Sequence, residues 1–334
     1  MTAARRLVAL IKSHISGDDA QFYAVAMQIA ADEARQGHGR LAEVLKQMID
    51  DGKARGAAIL QQPGPVPMAQ PKGELASLLS VQYPETRLAD MVLSEDLEAR
   101  LRRVLLEQRQ QRRLRSYGLF PRRKLLLIGP SGSGKTMTAA ALAGELKLPL
   151  FTVVLDGLIS KFMGETAAKL RFIFEAMNMT KGVYLFDEFD AIGARRADPN
   201  DVGEVRRILN SFLQFLEQDA SQGLIIAATN HGDLLDPALF RRFDDVIEYG
   251  LPKPEFVRRL LLNRLTLFDT SALDWSAVFE SAAGLSYAEI ARAADEAAKD
   301  AVLANVKQIS MASLVAAFTE RRRSTSSVVP AIDA

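Results

Sequence analysis

The chain has 334 residues, and at about 150 residues per domain this length suggests two domains. It carries 42 Lys and Arg against 41 Asp and Glu, a net charge of +1, which excludes a protein that coats polyanions through a large positive field. It has no Cys and only three His, which excludes disulfides, Cys-ligated zinc and a zinc protease built on paired His. No apolar run approaches the ~18 residues of a membrane span, so we expect a soluble, cytoplasmic protein with no membrane partner.

The first predicted unit is a small helical domain over residues 1–60. Leu41, Val44, Leu45 and Met48 recur with the spacing of one helix face, and a similar apolar stripe runs through residues 22–30. We expect this unit to be an adaptor that binds a partner. Residues 61–73 carry four prolines and two glycines, which predicts a linker because proline removes backbone donors and fixes φ.

The pattern changes from about residue 120. Short apolar runs alternate with helical stretches, which predicts an α/β subdomain over residues 74–250, with a parallel sheet covered by helices on both faces. The expected strands are 125–128, 150–155, 183–186, 224–228 and 246–248. After Pro252 we expect only helices, at 254–268, 274–281, 286–305 and 310–322, forming an all-α lid over 251–323. Residues 324–334 are predicted to be a disordered tail.

A glycine-rich segment follows the first of these strands. Residues 129–136 read G-P-S-G-S-G-K-T and precede a helix that runs from Met137. Glycines let the backbone approach phosphates, so successive N–H groups at a helix N-terminus can cradle them. This P-loop predicts ATP binding, with Lys135 at the β- and γ-phosphates and the Thr136 hydroxyl on Mg²⁺. The predicted ATP-binding residues here are Gly129, Pro130, Ser131, Gly132, Ser133, Gly134, Lys135, Thr136 and Met137.

Two carboxylates end the predicted strand 183–186. An α/β sheet places its ligand at the carboxyl edge of its strands, where Asp187 and Glu188 would stand. We predict that Asp187 holds Mg²⁺ and that Glu188 is the general base for the attacking water, which makes the reaction the hydrolysis of ATP to ADP and phosphate. Without other motifs, two acidic residues at a strand end more often cap a helix. The P-loop in the same chain favours the catalytic interpretation here.

Five segments resemble, in order, the motifs of the AAA ATPases. They read L-L-L-I-G-P-S-G-S-G-K-T (125–136), K-F-M-G-E-T (161–166), Y-L-F-D-E-F-D-A-I-G (184–193), A-A-T-N (227–230) and L-D-P-A-L-F-R-R-F-D (235–244). The resemblance covers about residues 86–320. It implies the AAA fold, Mg²⁺-dependent ATP hydrolysis and a homo-oligomeric ring, usually a hexamer, with ATP between neighbouring subunits.

The resemblance also implies roles for single residues. Asn230 matches the sensor-1 residue that orients the water opposite Glu188, and Arg241 and Arg242 match the arginine fingers that reach a neighbour's γ-phosphate. The family separates its two arginines by Pro-Gly, whereas these are adjacent. Arg242, before Phe243 and Asp244, matches the second finger best, and Arg241 is either the other finger or a partner in a structural ion pair.

Contacts to the adenosine end are implied at two further places. Asp90, Met91 and Val92 match the segment that covers the adenine edge. Gly284 and Ala288 lie in a stretch that resembles the part of the lid near adenine and ribose, although Tyr287 replaces the usual Gly there.

Lys161, Phe162, Met163 and Gly164 resemble the pore loop of ring-forming unfoldases. An aromatic ring grips peptide segments without reading their sequence, and glycine permits a mobile loop. The alternative is that Phe162 belongs to the core. Residues 194–204 would form a second pore loop, made basic by Arg195 and Arg196.

These features predict an ATP-driven protein unfoldase or remodeller that threads a client polypeptide through a central pore. The chain has no protease signature of its own, so any cutting would need another chain. Its adaptor unit and several motif stretches resemble bacterial AAA ATPases encoded beside subtilisin-like serine proteases, some of which act in anti-phage defence.

Two alternatives remain open. A nucleic-acid-stimulated AAA ATPase would use residues 100–124, which hold ten Lys or Arg and one acid, although the two aromatic residues there, Tyr117 and Phe120, do not alternate with the basic residues as a base-stacking series would. An ATP-gated scaffold would hold its partner without translocating it.

Overall fold

A computed structural model describes residues 75–154, 165–190 and 202–326, the short runs 25–27, 29–30, 42–44 and 47–48, and the single residues 71, 73 and 158. The side chains of 202–207 and 324–326 are outside this set. The chain divides into two compact units, Met1–Met68 and Ala69–Ala334. In the first unit the described runs are helical and lie on the two predicted apolar stripes. Most of the predicted adaptor and linker, and residues 327–334, lie outside the described residues.

The second unit is built on a mixed sheet whose described strands have the order β1-β3-β4-β5-β2-β6. The strands are β1 (Leu79–Gln82), β2 (Lys124–Ile128), β3 (Leu150–Val153), β4 (Val183–Phe186), β5 (Leu224–Thr229) and β6 (Asp245–Glu248). Neighbouring strands are parallel from β3 to β6, which confirms the five predicted strands. The prediction of a wholly parallel sheet missed β1, which pairs antiparallel with β3 at one edge. This strand has four residues and only one of them is buried, so its hydrophobic signal is weak.

Helices cover both faces of the sheet, as predicted. Successive strand residues point to opposite faces, so Tyr184 and Phe186 pack in one core while Val183 and Leu185 pack in the other. The helices of this subdomain are α1 (Leu75–Leu78), α2 (Glu95–Arg109), α3 (Gln111–Ser116), α4 (Lys135–Leu146), α5 (Glu165–Met179), α6 (Val202–Gln218) and α7 (Pro237–Phe240). Single 3₁₀ turns lie at Leu88–Asp90 and Gly232–Leu234.

The lid follows as four helices around a core of its own. They are α8 (Pro254–Arg264), α9 (Trp275–Ala282), α10 (Tyr287–Leu303) and α11 (Met311–Ser326). The predicted ends differ most in two places. Helix α8 stops at Arg264 rather than at 268, and α11 continues to Ser326, into the predicted tail, because no Gly or Pro interrupts it before Pro330. Among the described helices, none has both the length and the apolar content that crossing a membrane requires.

Candidate nucleotide site

The site lies at the carboxyl edge of three adjacent strands. Gly129 follows β2, Asp187 follows β4 and Asn230 follows β5, and β4, β5 and β2 are neighbours in the sheet. Parallel strands end at the same edge, so motifs about a hundred residues apart in sequence converge there. This edge therefore holds the segments that the sequence predicted to act on ATP.

The P-loop has a backbone that only glycine accepts easily. Gly129, Gly132 and Gly134 have φ values of +155°, +72° and +103°. A Cβ on Gly129 would lie 2.4 Å from the Tyr249 carbonyl oxygen, and one on Gly132 would lie 2.5 Å from the Ser286 hydroxyl oxygen. The loop is thus packed between β6 and the start of α10, and the Ala288 N–H donates to the Gly132 carbonyl at 3.1 Å.

Lys135 lies buried at the start of α4. Its ammonium donates to the carbonyls of Gly129 (2.6 Å) and Pro130 (2.9 Å) and to Oδ1 of Asn230 (2.7 Å). Burial lowers the pKa of Lys135, while the charges of Asp187 and Asp190 act in the opposite direction. A phosphate that replaced these neutral acceptors would compensate the buried charge, so the lysine is poised for an anionic ligand.

Thr136 and Asp187 form the second pair of the site. The Thr136 hydroxyl donates to Oδ2 of Asp187 at 2.6 Å, and the Glu188 N–H donates to Oδ1 of Asp187 at 3.0 Å. Glu188 itself has a left-handed φ of +49°, a strained conformation for a non-glycine residue. The turn fixes the Asp187 carboxylate between the two donors and leaves the Glu188 side chain exposed at the cavity.

Asp190 continues this acidic run and has a structural partner. Its Oδ1 accepts from the Thr229 hydroxyl at 2.8 Å, and the Thr229 oxygen accepts from the His231 N–H at 3.0 Å. These bonds link the segments that carry Glu188 and Asn230, so they hold the predicted base and sensor side by side.

A cavity of about 890 Å³ opens beside these groups. The predicted residues that line it are Asp90, Met91, Val92, Ser131, Gly132, Ser133, Gly134, Lys135, Thr136, Met137, Asp187, Glu188, Asn230 and Ala288. Gly129 and Pro130 lie at its edge through their carbonyls, which bind Lys135. Gly284 does not line the cavity; it is exposed, in the turn before α10.

On the lid side of the cavity, sequence reasoning correctly placed only Ala288. Leu260, Asn263 and Arg264 of α8 line it, together with Ala291, Arg292 and Asp295 of α10. The α10 residues lie three, four and seven positions after Ala288, which places them on the same helix face. The prediction of Ala288 could therefore have identified them. Arg264 and Asp295 approach to 3.9 Å across the two helices.

The donor set fits a nucleotide with Mg²⁺. The Ser133 hydroxyl is buried and has no hydrogen-bond partner in the described part of the chain, so a ligand that bonds to it would relieve an unpaired polar group. No cluster of three or more His, Cys, Asp or Glu suited to a metal occurs among the described residues. Thr136 and Asp187 supply two oxygens, which suits Mg²⁺ because this ion usually keeps waters and takes further ligands from substrate phosphates.

Comparison with known proteins gives the family. A family model described as "ATPase family associated with various cellular activities (AAA)" matches residues 125–251. A relative from Sinorhizobium fredii, named as the uncharacterized AAA family ATPase y4kL, is 34% identical over 296 residues, 88% of this chain and 88% of the relative. The chain belongs to the AAA ATPase family. Its reaction is therefore the hydrolysis of ATP.

Other similar proteins share the AAA region. A proteasome-activating nucleotidase of Saccharolobus islandicus is 38% identical over 219 residues, 62% of this chain and 54% of the nucleotidase. The ATP-dependent zinc metalloprotease FtsH 3 of Sphaerobacter thermophilus is 32% identical over 251 residues, 73% of this chain and 51% of the protease. The chain spans about half the length of these two relatives. A crystal structure of the FIGL-1 AAA domain matches with a TM-score of 0.57 and 25% identity, over 77% of this chain and 87% of that one.

The two arginines that match the AAA fingers lie away from the cavity of this chain. They follow α7, and neither lines the cavity. Arg242 forms an ion pair with Glu217 near the end of α6, with about half of each side chain exposed. Arg241 is exposed and has no ion pair within the described residues. The structural ion pair that the sequence allowed for Arg241 is thus formed by Arg242.

The predicted pore loop, Lys161, Phe162, Met163 and Gly164, lies outside the described residues, as do residues 194–201 of the second loop. Described residues border both segments: α5 begins at Glu165 and α6 at Val202.

The basic segment 100–124 of the AAA core is largely neutralised within the chain. Six of its ten basic residues pair with acids: Arg100 and Arg122 with Asp245, Arg102 with Glu98, Arg103 and Arg122 with Glu107, Arg109 with Glu145, and Arg123 with Asp219. Arg112, Arg113 and Arg115 have no acidic partner among the described residues. The basic run therefore forms ion pairs within α2 and between this segment and β6, the end of α4 and Asp219 after α6.

Proposed function

We propose that this AAA ATPase is a ring-forming machine that uses ATP hydrolysis to unfold or remodel a protein client. The observation that carries the ATP-hydrolysis part of the proposal is the convergence of the Thr136–Asp187 and Lys135–Asn230 pairs, at 2.6 and 2.7 Å, on one cavity that also holds Glu188. Such a set serves attack by water on the γ-phosphate rather than transfer to a protein hydroxyl.

Each side chain then has a distinct task. The P-loop N–H groups and Lys135 bind the phosphates. Thr136 and Asp187 would hold Mg²⁺, which would supply positive charge to the phosphate group when bound. Glu188 accepts a proton from the attacking water, and the Asn230 amide holds that water in line. When phosphate displaces Asn230 from Lys135, its amide becomes available for this role.

The positions of the arginines support a homo-oligomer, which we propose to be a hexamer. A finger that stabilises the transition state must reach the γ-phosphate, and Arg241 and Arg242 are absent from their own cavity. A second copy is the simplest source of that guanidinium. The exposed ion pair between Arg242 and Glu217 can open at little cost, because surface pairs contribute at most about 1 kcal/mol.

We propose a protein client because two of the similar proteins are named as a proteasome-activating nucleotidase and as an ATP-dependent protease. In this proposal Phe162 grips the polypeptide in the pore, and the helical unit at 1–60, joined by the linker 61–73, recruits it. A separate subtilisin-like serine protease as the downstream partner, a part in anti-phage defence and a cytoplasmic location rest only on the resemblance and the composition described above.

The structure weakens the nucleic-acid alternative. Six of the ten charges in its basic segment form internal ion pairs, and a seventh, Lys124, donates to the Leu216 carbonyl. Only Arg112, Arg113 and Arg115 remain, on a short helix that is followed by the exposed Tyr117 and Phe120.

The proposal is tested with the full-length protein and a fluorescent model substrate. Phe162→Ala should keep most of the ATPase activity and lose unfolding of the substrate, because it removes the grip and leaves the nucleotide site intact. Phe172→Ala, at a half-exposed position of α5, is the matched control and should keep both activities. Equal unfolding by Phe162→Ala and the wild type would contradict the threading mechanism.

A second experiment identifies the client. Glu188→Gln should bind ATP and hold the ring together without turnover, so a pull-down with this variant and ATP should retain the client. Normal ATP turnover by Glu188→Gln would show that Glu188 is not the base.

A further inference from the structure

One aromatic residue stands at the nucleotide cavity without a task. Tyr287 is the first residue of α10, next to the N-cap Ser286, and it is partly buried. Among the described residues that line the nucleotide cavity, it is the one aromatic residue. The chemistry of ATP hydrolysis assigned above to the P-loop, the acidic pair and Asn230 makes no use of it.

A second cavity lies behind Tyr287. It has a volume of about 750 Å³ and lies between the start of α2, the end of β6 and the start of α8; we call it the hinge cleft. Four residues line both the hinge cleft and the nucleotide cavity: Val92, Leu93, Ser133 and Tyr287. The first three are buried, whereas Tyr287 is a large side chain that keeps partial exposure. Tyr287 is therefore the residue that can separate the two spaces.

The Tyr287 hydroxyl faces the hinge cleft. Burial raises the pKa of Tyr287, and the charges of Arg259 and Glu255 act on it in opposite directions. Both charged residues line the hinge cleft and not the nucleotide cavity. The Arg259 guanidinium also donates to the Leu93 carbonyl, which ties the lid to the segment before α2. The Tyr287 ring thus stands between its hydroxyl in the cleft and the nucleotide cavity.

The base of ATP lies on the side of the cavity that holds Tyr287. The phosphate-binding groups occupy the other side, at the carboxyl edge of the sheet. Most of the apolar lining residues lie instead on the segment before α2 and on the lid, among them Met91, Val92, Leu260, Ala288 and Ala291. A nucleobase has two flat faces that pack well on apolar and aromatic side chains, so this wall suits the base.

We propose that Tyr287 is a specificity-determining residue for the nucleoside, because its ring packs against the base of ATP and closes the nucleotide cavity toward the hinge cleft. The inference rests on the nucleotide site proposed above. A base with a larger group would have to displace the ring, so the wild type should reject it. Removing the ring joins the two cavities and loses a base–aromatic contact worth about tenfold in affinity.

Calorimetric titration of the full-length protein with three ligands tests this role. ADP carries the base and is not turned over, and pyrophosphate carries only phosphate groups. N6-benzyl-ADP has an enlarged base, and its N6 group is the part of adenine farthest from the phosphates. Tyr287→Gly should bind ADP about tenfold more weakly than the wild type does and pyrophosphate equally well. It should bind N6-benzyl-ADP at least as tightly as ADP, whereas the wild type should clearly prefer ADP.

Three further variants serve as controls. Tyr287→Phe keeps the ring and should match the wild type with all three ligands. Leu251→Ala should match it too, because Leu251 is exposed and lines the hinge cleft but not the nucleotide cavity. Tyr287→Ala should behave as Tyr287→Gly does, and it replaces that variant if thermal unfolding shows that Gly at the start of α10 destabilises the protein.

Two results would overturn the role of Tyr287. One is an equal loss of ADP and pyrophosphate affinity in Tyr287→Gly, because Tyr287 would then only hold the P-loop in place. The other is an unchanged preference for ADP over N6-benzyl-ADP. Lys135→Ala tests the nucleotide site separately, since it should lose affinity for both ADP and pyrophosphate. Full retention of both by Lys135→Ala would refute the site and the role of Tyr287 together.

Steady-state hydrolysis of ATP gives an independent readout. Tyr287→Gly should raise KM about tenfold and change kcat by less than about twofold, because the groups that act on the phosphates are unchanged. A fall in kcat with an unchanged KM would place Tyr287 at the reacting phosphate instead of the base, and would contradict the inference.

Discussion

Gly132 joins the P-loop to the lid, and Gly132→Ala should uncouple them. A Cβ at this position would lie 2.5 Å from the Ser286 hydroxyl oxygen and 3.0 Å from the Ala288 Cβ. Both neighbours belong to the start of α10, where Ser286 is the N-cap. The added methyl group therefore forces the lid helix away from the phosphate-binding loop.

The size of the loss in ATP affinity follows from the interactions that Gly132→Ala weakens or breaks. Turning the Ser286 hydroxyl away weakens the cap, which is worth ~1 kcal/mol. Moving Ala288 breaks its hydrogen bond to the Gly132 carbonyl, worth ~1 kcal/mol more. The sum of ~2 kcal/mol corresponds to a loss of about thirtyfold in ATP affinity, because ATP occupies the cavity between the two segments.

Gly284→Ala is the matched control. Gly284 also has a left-handed φ, +81°, but a Cβ there meets no atom within 4 Å. Both variants are thus destabilised by backbone strain of ~1–2 kcal/mol, and only Gly132→Ala adds a steric clash with the start of α10. Titration with a fluorescent ATP analogue, together with thermal unfolding, separates the two contributions. Equal ATP affinity of the two variants would refute the coupling of lid and P-loop.

Two further predictions concern charged side chains. Burial by itself raises the pKa of Glu107, but hydrogen bonds from Arg122 and Arg103 outweigh it and lower the pKa from 4.5 to about 2. This shift contributes at most ~3 kcal/mol to the free energy of unfolding. Glu107→Gln should therefore lower the free energy of unfolding, measured in urea at pH 7, by ~1–3 kcal/mol. The difference from the wild type should be constant above pH ~4.5 and should shrink as the pH falls toward 2. The control Glu98→Gln, which breaks an exposed ion pair, should lower the free energy of unfolding by about 0.5 kcal/mol or less. A pH-independent difference would contradict the ion-pair explanation. Arg242→Ala should lower kcat for ATP hydrolysis by about 10³-fold. Mixing it with Lys135→Ala should restore some activity, because the Lys135→Ala copy keeps Arg242 and can present it to the intact nucleotide site of the Arg242→Ala copy. No rescue in the mixture would argue against a site shared between copies.

Residues close together in sequence were predictable because their requirements are local. The P-loop needs glycines at left-handed φ angles and a strand and helix on either side, and all of these are legible between residues 125 and 146. The acidic pair at Asp187 and the Asn at 230 follow apolar runs whose parallel pairing brings them to the same edge. The four lid helices were found from helical periodicity alone.

Only the tertiary structure decided which distant residues meet. The antiparallel strand β1 escaped prediction because its pairing with β3 stabilises a segment with little hydrophobic signal. Gly284 was expected at the nucleotide and lies outside the cavity, whereas Arg264 and Asp295 line it, because the docking of the lid on the P-loop sets which helix faces turn inward.

The basic segment that opened the nucleic-acid alternative shows the same division. Its charge is visible in the sequence, but its neutralisation by Glu145, Asp219 and Asp245 depends on packing across the sheet. Chemistry that depends on consecutive residues is thus determined by the sequence pattern, whereas the balance of charges and the walls of the cavity depend on packing between segments far apart in the chain.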